Sequence, residues 1–340
     1  MTGPSDAGNR TAAPEGRTPD RARTAKILAD LSQRSVLVVG DLILDEYLHG
    51  RVDRISPEAP VPVLLVEKAD ERPGGAANVA ANLAALGAVP VLVGCVGRDR
   101  AATRLRDRLA LAGIGVGGVV GLEDRCTTTK SRLVSRSQQL ARFDRETEAP
   151  VSPEVETVIL DLAVAAMGRV QTVVLEDYDK GVLTLTVIRG IIEEAANRSI
   201  PVVVDPKHRN FFSYEGATVF KPNVREARTA LGESAPGLDA GWLRRLRTRV
   251  GSRNLLLTMG AEGMVLVGED EVPTRLVATA RSVFDVSGAG DTVTAVLAAT
   301  LAAGGTVLEG AHLANHAAGV CVGRMGVTAV SGDDILSVLE

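Results

Sequence analysis

From Ser35 onward, short apolar runs rich in β-branched residues alternate with longer stretches of helical period. The runs SVLVVG from Ser35, VPVLVGCV from Val89, TVVLED from Thr172, PVVVDP from Pro201, ATVFKPN from Ala217 and NLLLTMG from Asn254 read as buried strands. Between them, apolar residues recur at helical spacing over 76–86, 101–112, 153–167, 185–198, 239–250, 289–303 and 308–322. Strands that alternate with helices of this length indicate βαβ units, and so an α/β layered domain around a mainly parallel sheet. Most of the strands end in Gly, Asp, Asn or Lys, which sets polar groups at strand C-termini, where open α/β sheets bind ligands.

Two segments break the rhythm. YLHGRVDRISPEAPVPVLLVE, and TTTKSRLVSRSQQLARFD from Thr127, alternate polar and apolar residues as half-exposed strands do, and the prolines of the first suit edges or turns. They predict a small β-sheet off the main domain, over about 46–68 and 115–145. Residues 1–30 are expected to be a flexible tail, because their first two thirds are rich in Gly, Pro, Ser and Thr without a hydrophobic period. The domain proper is expected over 31–340.

Composition narrows the function classes. With 340 residues, 45% of them hydrophobic, the chain can bury one large core. A net charge of -4 removes the long-range attraction to phosphate backbones that nucleic-acid binding requires, and 3% aromatic residues leave little for base stacking. No apolar stretch reaches the roughly 18 residues of a membrane span, and the N-terminus lacks the apolar block of a secretory signal, so a soluble protein that is not exported is expected. Cys95, Cys126 and Cys321 are odd in number and widely spaced, so they read as packing thiols in a reducing cytoplasm. Phosphate recognition, if present, must be local.

Two segments supply it. In FDVSGAGDTVTAVLAATLAAG, the small residues Gly288, Ala289 and Gly290 precede an Ala-rich helix, so backbone N–H groups would face an anion as a helix N-terminus does. Asp291 then falls in the first turn, where it either accepts a proton from an attacking hydroxyl or simply favours the helix N-terminus. In RPGGAANVAANLAALG, Gly74 and Gly75 permit close approach to a helix start, and Asn78 and Asn82 share one helix face, as sugar-binding amides or as caps.

Found together and in this order, these segments resemble the two signatures of the ribokinase-like (PfkB) carbohydrate kinases. The resemblance runs from about Ser35 to Leu339. Within the family it is strongest to the heptose 7-phosphate kinases, including the kinase half of bifunctional heptose kinase/adenylyltransferases, through GDLILDEY, RISPEAPVPV, TKSRLVSRSQQLARFD, EDYDKG and VDPK. It implies a ribokinase-like mainly parallel sheet flanked by helices, with a small β-sheet lid that covers the sugar and pairs two copies into a homodimer. It also implies an ATP- and magnesium-dependent kinase, with a monovalent cation as a further option, acting on the anomeric hydroxyl of a heptose 7-phosphate.

The same resemblance assigns residues. Asp291 would be the base, with the amides of Gly288, Ala289 and Gly290 on the transferred phosphoryl group. Asn223 and Glu226 would orient magnesium and the ATP phosphates through water. Thr258, Gly260 and Gly263 would form the nucleotide loop, and Asn315 would lie near the adenine. Asp41, Gly74, Gly75 and Asn78 would hold sugar hydroxyls. Arg132, Arg142, Lys180 and Lys207 would meet the substrate phosphate, supported by the forked geometry of Arg. Ser287 stands in place of the usual threonine, Glu46 in place of a basic residue, and Asp179 in place of a small one. No His-x-Gly-His element follows, so the expectation is a kinase without the adenylyltransferase half. The rival expectations are a ribokinase-like kinase for another sugar or sugar phosphate, and a non-catalytic sugar-phosphate-binding regulator.

Overall fold

The computed structural model describes residues 19–136, 138–232, 239–280 and 282–339. Its main sheet is built from β1 (Ser35–Gly40), β4 (Val89–Gly97), β5 (Gly115–Leu122), β8 (Thr172–Glu176), β9 (Val202–Asp205), β10 (Val219–Phe220), β11 (Asn254–Thr258), β12 (Met264–Val267) and β13 (Pro273–Leu276). The order is β13-β12-β11-β10-β9-β8-β1-β4-β5, parallel from β5 through β11 and antiparallel at β12 and β13. A second sheet, β3-β2-β6-β7, joins β2 (Leu42–Ile55), β3 (Pro62–Gly75), β6 (Thr128–Ser135) and β7 (Gln138–Arg145).

Alternation along each main strand sends side chains to two separate cores. Val36 and Val38 join the helices α1 (Arg21–Asp30), α2 (Ala76–Ala85), α3 (Arg100–Leu111), α8 (Ala289–Ala302), α9 (Val307–Val322) and α10 (Gly332–Val338) on one face. Leu37 and Val39 join α4 (Pro153–Met167), α5 (Leu185–Asn197), α6 (Val224–Leu231) and α7 (Ala240–Val250) on the other. The sheet is therefore doubly wound, and the strand order reverses at β1, which opens a crevice at its C-terminal end. Among the described residues no helix is long and apolar enough to cross a membrane.

Two expectations need correction. The segment 115–122 is not part of the small sheet: it forms β5, parallel to β4 at the main-sheet edge, because α3 carries the chain back as a right-length crossover. The expected tail also ends sooner. Asp20 caps α1 by accepting the Arg23 N–H at 2.7 Å, Ile27 and Leu31 are buried in the core, and Arg23 pairs with Glu309 at 2.6 Å. Spaced four apart, Ile27 and Leu31 are the helical signal in that stretch; residues 1–18 lie outside the described residues.

Candidate active site

The crevice is lined by the ends of adjacent strands. Their register sets Gly40 beside Glu176 and Glu176 beside Asp205, with Lys221 following directly on β10. Gly40 permits this approach, since a Cβ there would stand 2.0 Å from the Glu176 carbonyl oxygen. Lys221 Nζ pairs with Asp205 at 2.8 Å, and both are buried. Glu176 is fully buried, yet neither of its carboxylate oxygens has a hydrogen bond. Burial, reinforced by the charges of Asp205 and Asp291, pushes its carboxyl well above the ordinary range. One oxygen from each of Glu176, Asp205 and Asp291 lies within 4.8 Å of the others.

Asp291 enters this cluster from the first turn of α8. That helix starts at Gly288, whose φ of +78° suits glycine, and a Cβ there would crowd the Asn78 amide at 2.9 Å. The Ala289 N–H donates to the Val286 carbonyl at 3.3 Å, so the first-turn amides left for an anion are those of Gly290 and Asp291. Asn78 Nδ2 donates to Asp291 Oδ2 and the Tyr178 hydroxyl donates to Oδ1, each at 2.7 Å. Burial raises the Asp291 carboxyl to about 6, against the lowering effect of these two bonds. A carboxylate held there accepts a proton near neutral pH.

A cavity of about 570 Å³ opens from Asp291 along the strand ends. Every residue expected to meet the nucleotide lines it: Asn223, Glu226, Thr258, Gly260, Gly263 and Asn315, together with Gly288, Ala289 and Gly290. Asn223 and Glu226 also form a capping box on α6, each side chain accepting the other's backbone N–H at 2.8 Å. Thus Asn-x-x-Glu is a helix start as well as a cavity wall. Lys207, expected at the substrate phosphate, lines the same cavity and pairs its Nζ with Glu226 at 2.6 Å.

The remaining sugar-side residues are dispersed among partners. Asp41 is spent on backbone: its carboxylate accepts the N–H groups of Tyr178 at 2.8 Å, Lys180 at 2.9 Å and Val182 at 3.2 Å, fixing the loop after β8. The carboxylate beside Gly74 is instead Asp45, whose Oδ2 lies 2.1 Å from where a Gly74 Cβ would be. Gly75, at φ +57°, turns β3 into α2. Arg132 forms a buried pair with Asp45 at 2.5 Å and lies over the Tyr47 ring. Arg142 is half exposed and pairs with Asp144 at 3.0 Å. Lys180 is held between Glu146 at 3.0 Å and Glu148 at 3.1 Å, and Lys130 reaches the same Glu146 at 3.8 Å. Glu46, the charge departure noted above, faces away from these and pairs with Arg104 at 2.7 Å.

Sequence reasoning missed Glu176, Asp205, Lys221, Asp45 and Tyr178. The first three end or follow strands, so the strand-end rule was a usable signal for them. Tyr178 lies in the quoted EDYDKG segment, but no local pattern names its partner, a carboxylate 113 residues away.

A doubly wound sheet whose switch point holds an anion-ready helix start beside a buried carboxylate is an α/β fold with a crevice suited to a phosphate-bearing small molecule. Residues 33–333 match the pfkB family carbohydrate kinases, and the chain belongs to that family. The chain spans just under two thirds of the length of the curated relatives it matches. The chain is 46% identical to the bifunctional protein HldE of Caulobacter vibrioides across 89% of its own length and 62% of that relative's. It is 42% identical to HldE of Nitrosococcus oceani across 92% of its length and 65% of that relative's. The fold is shared with a ribokinase of Arabidopsis thaliana complexed with ribose and ATP, at TM-score 0.70, 19% identity, 90% of this chain and 99% of that one. It is shared equally with Escherichia coli phosphofructokinase-2, at TM-score 0.73, 17% identity, 90% of this chain and 98% of that one.

Proposed function

We propose that this kinase phosphorylates the anomeric hydroxyl of D-glycero-D-manno-heptose 7-phosphate or a close stereoisomer, giving the 1,7-bisphosphate. The observation that carries the chemistry is Asp291, buried, held up to about 6 and set in the first turn of α8 beside the cavity that gathers the nucleotide residues. The substrate follows from the heptose-kinase motifs and the likeness to HldE. Asp291 takes the proton of the sugar hydroxyl as its oxygen attacks the terminal phosphoryl group, and the first-turn amides of α8 stabilise the charge that develops there.

A divalent cation accompanies ATP in this family. Glu176 and Asp205 fit Mg²⁺: they offer hard oxygens at one point, and Glu176 is a buried carboxylate without a hydrogen bond. Asn223 and Glu226, engaged in their capping box and with Lys207, would reach it through water. When bound, the ion neutralises charge on the phosphates.

The substrate phosphate falls to Lys130, Lys180 and Arg132 on the small-sheet side. Lys130 and Lys180 already share one carboxylate, that of Glu146, and a phosphate dianion would compete for the same two cations. The small sheet acts as a lid over the sugar, and its exposed Ile55, Leu65 and Val66 support pairing of two lids in a homodimer in the cytoplasm.

Phosphorus NMR with magnesium-ATP and D-glycero-D-manno-heptose 7-phosphate, beside ribose, fructose and fructose 6-phosphate, tests this. A new anomeric phosphate signal with the heptose alone is the expected result. Turnover of a different sugar instead sinks the substrate assignment, and sugar-phosphate binding without any product makes the chain a regulator.

A further inference from the structure

We propose that Tyr178 is a positioning residue for the base: its hydroxyl fixes the carboxylate plane of Asp291 and so aims the free lone pairs at the acceptor. The inference rests on the reading of Asp291 as base.

The last torsion of an aspartate is broad, so a buried carboxylate in a roomy site needs external donors to select one orientation. Asp291 has one on each oxygen, Asn78 on Oδ2 and Tyr178 on Oδ1, each at 2.7 Å. The charges around it would otherwise pull it off line. Asp205 repels it, and Lys221, paired with Asp205, attracts it. Two fixed donors hold the group between these without neutralising it.

Tyr178 is itself positioned through its backbone. Asp41 accepts its N–H at 2.8 Å along with those of Lys180 and Val182, so a buried carboxylate fixes the loop that carries Tyr178. The turn that follows places Asp179 at φ +57°, a conformation non-glycine residues seldom adopt, and the Asp179 N–H is tied to Asp177 Oδ1 at 2.8 Å. From the cavity side, Lys207 Nζ lies 4.9 Å from the centre of the Tyr178 ring, while pairing with Glu226. Loop, ring and hydroxyl are therefore each held from a different direction. In the reaction the acceptor proton goes to Asp291, the acceptor oxygen bonds to phosphorus as the bond to the leaving ADP oxygen breaks, and Tyr178 keeps its own proton. If the ring mattered only as packing, phenylalanine would replace it at no catalytic cost.

The test is a double-mutant cycle on the full chain with magnesium-ATP and D-glycero-D-manno-heptose 7-phosphate, or whichever sugar of the panel above the wild type turns over. Tyr178→Phe is expected to lower kcat by about tenfold to a hundredfold, as small misplacements of reacting groups do, while KM for ATP and sugar stays within about twofold. In an Asp291→Asn background the same substitution is expected to add less than about a twofold loss, because the partner it positions is gone. Thermal unfolding and ATP affinity of Tyr178→Phe establish that the variant is folded. Wild-type kcat in Tyr178→Phe overturns the inference, as does a loss confined to KM or one that persists in full beside Asp291→Asn. Turnover retained by Asp291→Asn overturns the base assignment instead, a separate failure.

Discussion

The nucleotide side and the sugar side of this crevice are built by different means. Along the cavity, a helix start, glycine turns and a capping box present main-chain groups, and every residue expected there from the sequence lines one space. On the small-sheet side, the proposed recognition of a substrate phosphate uses long cationic side chains, and Arg132, Arg142 and Lys180 are each already paired: Arg132 with Asp45, Arg142 with Asp144, Lys180 with Glu146 and Glu148. Main-chain phosphate sites are local in sequence and survive unliganded. Side-chain phosphate sites are held in waiting by carboxylates that a dianion can displace.

The sharpest way to break this contrast is at Asp291, where the two sides meet. Asp291→Asn should lower kcat by about a hundredfold or more with either substrate near saturation, read from product formation. Arg132→Ala should act differently. It strands the buried Asp45 carboxylate, so a denaturation midpoint should report a loss of about 3 kcal/mol. In the fraction that folds, KM should rise for a phosphorylated sugar and stay nearly unchanged for ATP and for a free sugar. A matching rise in KM for ATP would erase the distinction between the two sides.

A pH profile gives a smaller effect. Burial holds the Asp291 carboxyl near 6, and the base works only when unprotonated, so kcat/KM should fall as pH drops through about 6. One unit below that value the loss should be about tenfold, where an aspartate at its ordinary pKa of about 3.9 would still be fully active. Smallest of all is Arg142→Ala. Its pair with Asp144 is half exposed, so the stability change should be within about 0.5 kcal/mol, and any effect should appear as a modest rise in KM for the sugar phosphate.

How much was legible follows the same division. The runs at Ser35, Val89, Thr172, Pro201, Ala217 and Asn254 all became main-sheet strands, because buried parallel strands advertise themselves as continuous β-branched runs. The segment at 115–122 was misplaced because GVGGVVGL lacks that density, and only its pairing with β4 assigns it to the main sheet. The helix at Arg21–Asp30 was hidden by its polar flank, although Ile27 is almost wholly buried. Asp41 and Asp45 flank the same stretch of chain, and nothing in their spacing tells which meets backbone amides and which meets Gly74 and Arg132.

The sequence by itself determined the alternation of strands and helices, the helix start at Gly288 with Asp291 in its first turn, and the Asn223–Glu226 box. Each is a property of a few consecutive residues, set by period, backbone freedom and capping chemistry. Only the tertiary structure decided which charges face which. It placed Glu176, Asp205 and Asp291 at one point, paired Lys207 with Glu226, and brought Tyr178 to Asp291. Those contacts join residues far apart in the chain, and their energies depend on burial and distance that no local pattern encodes.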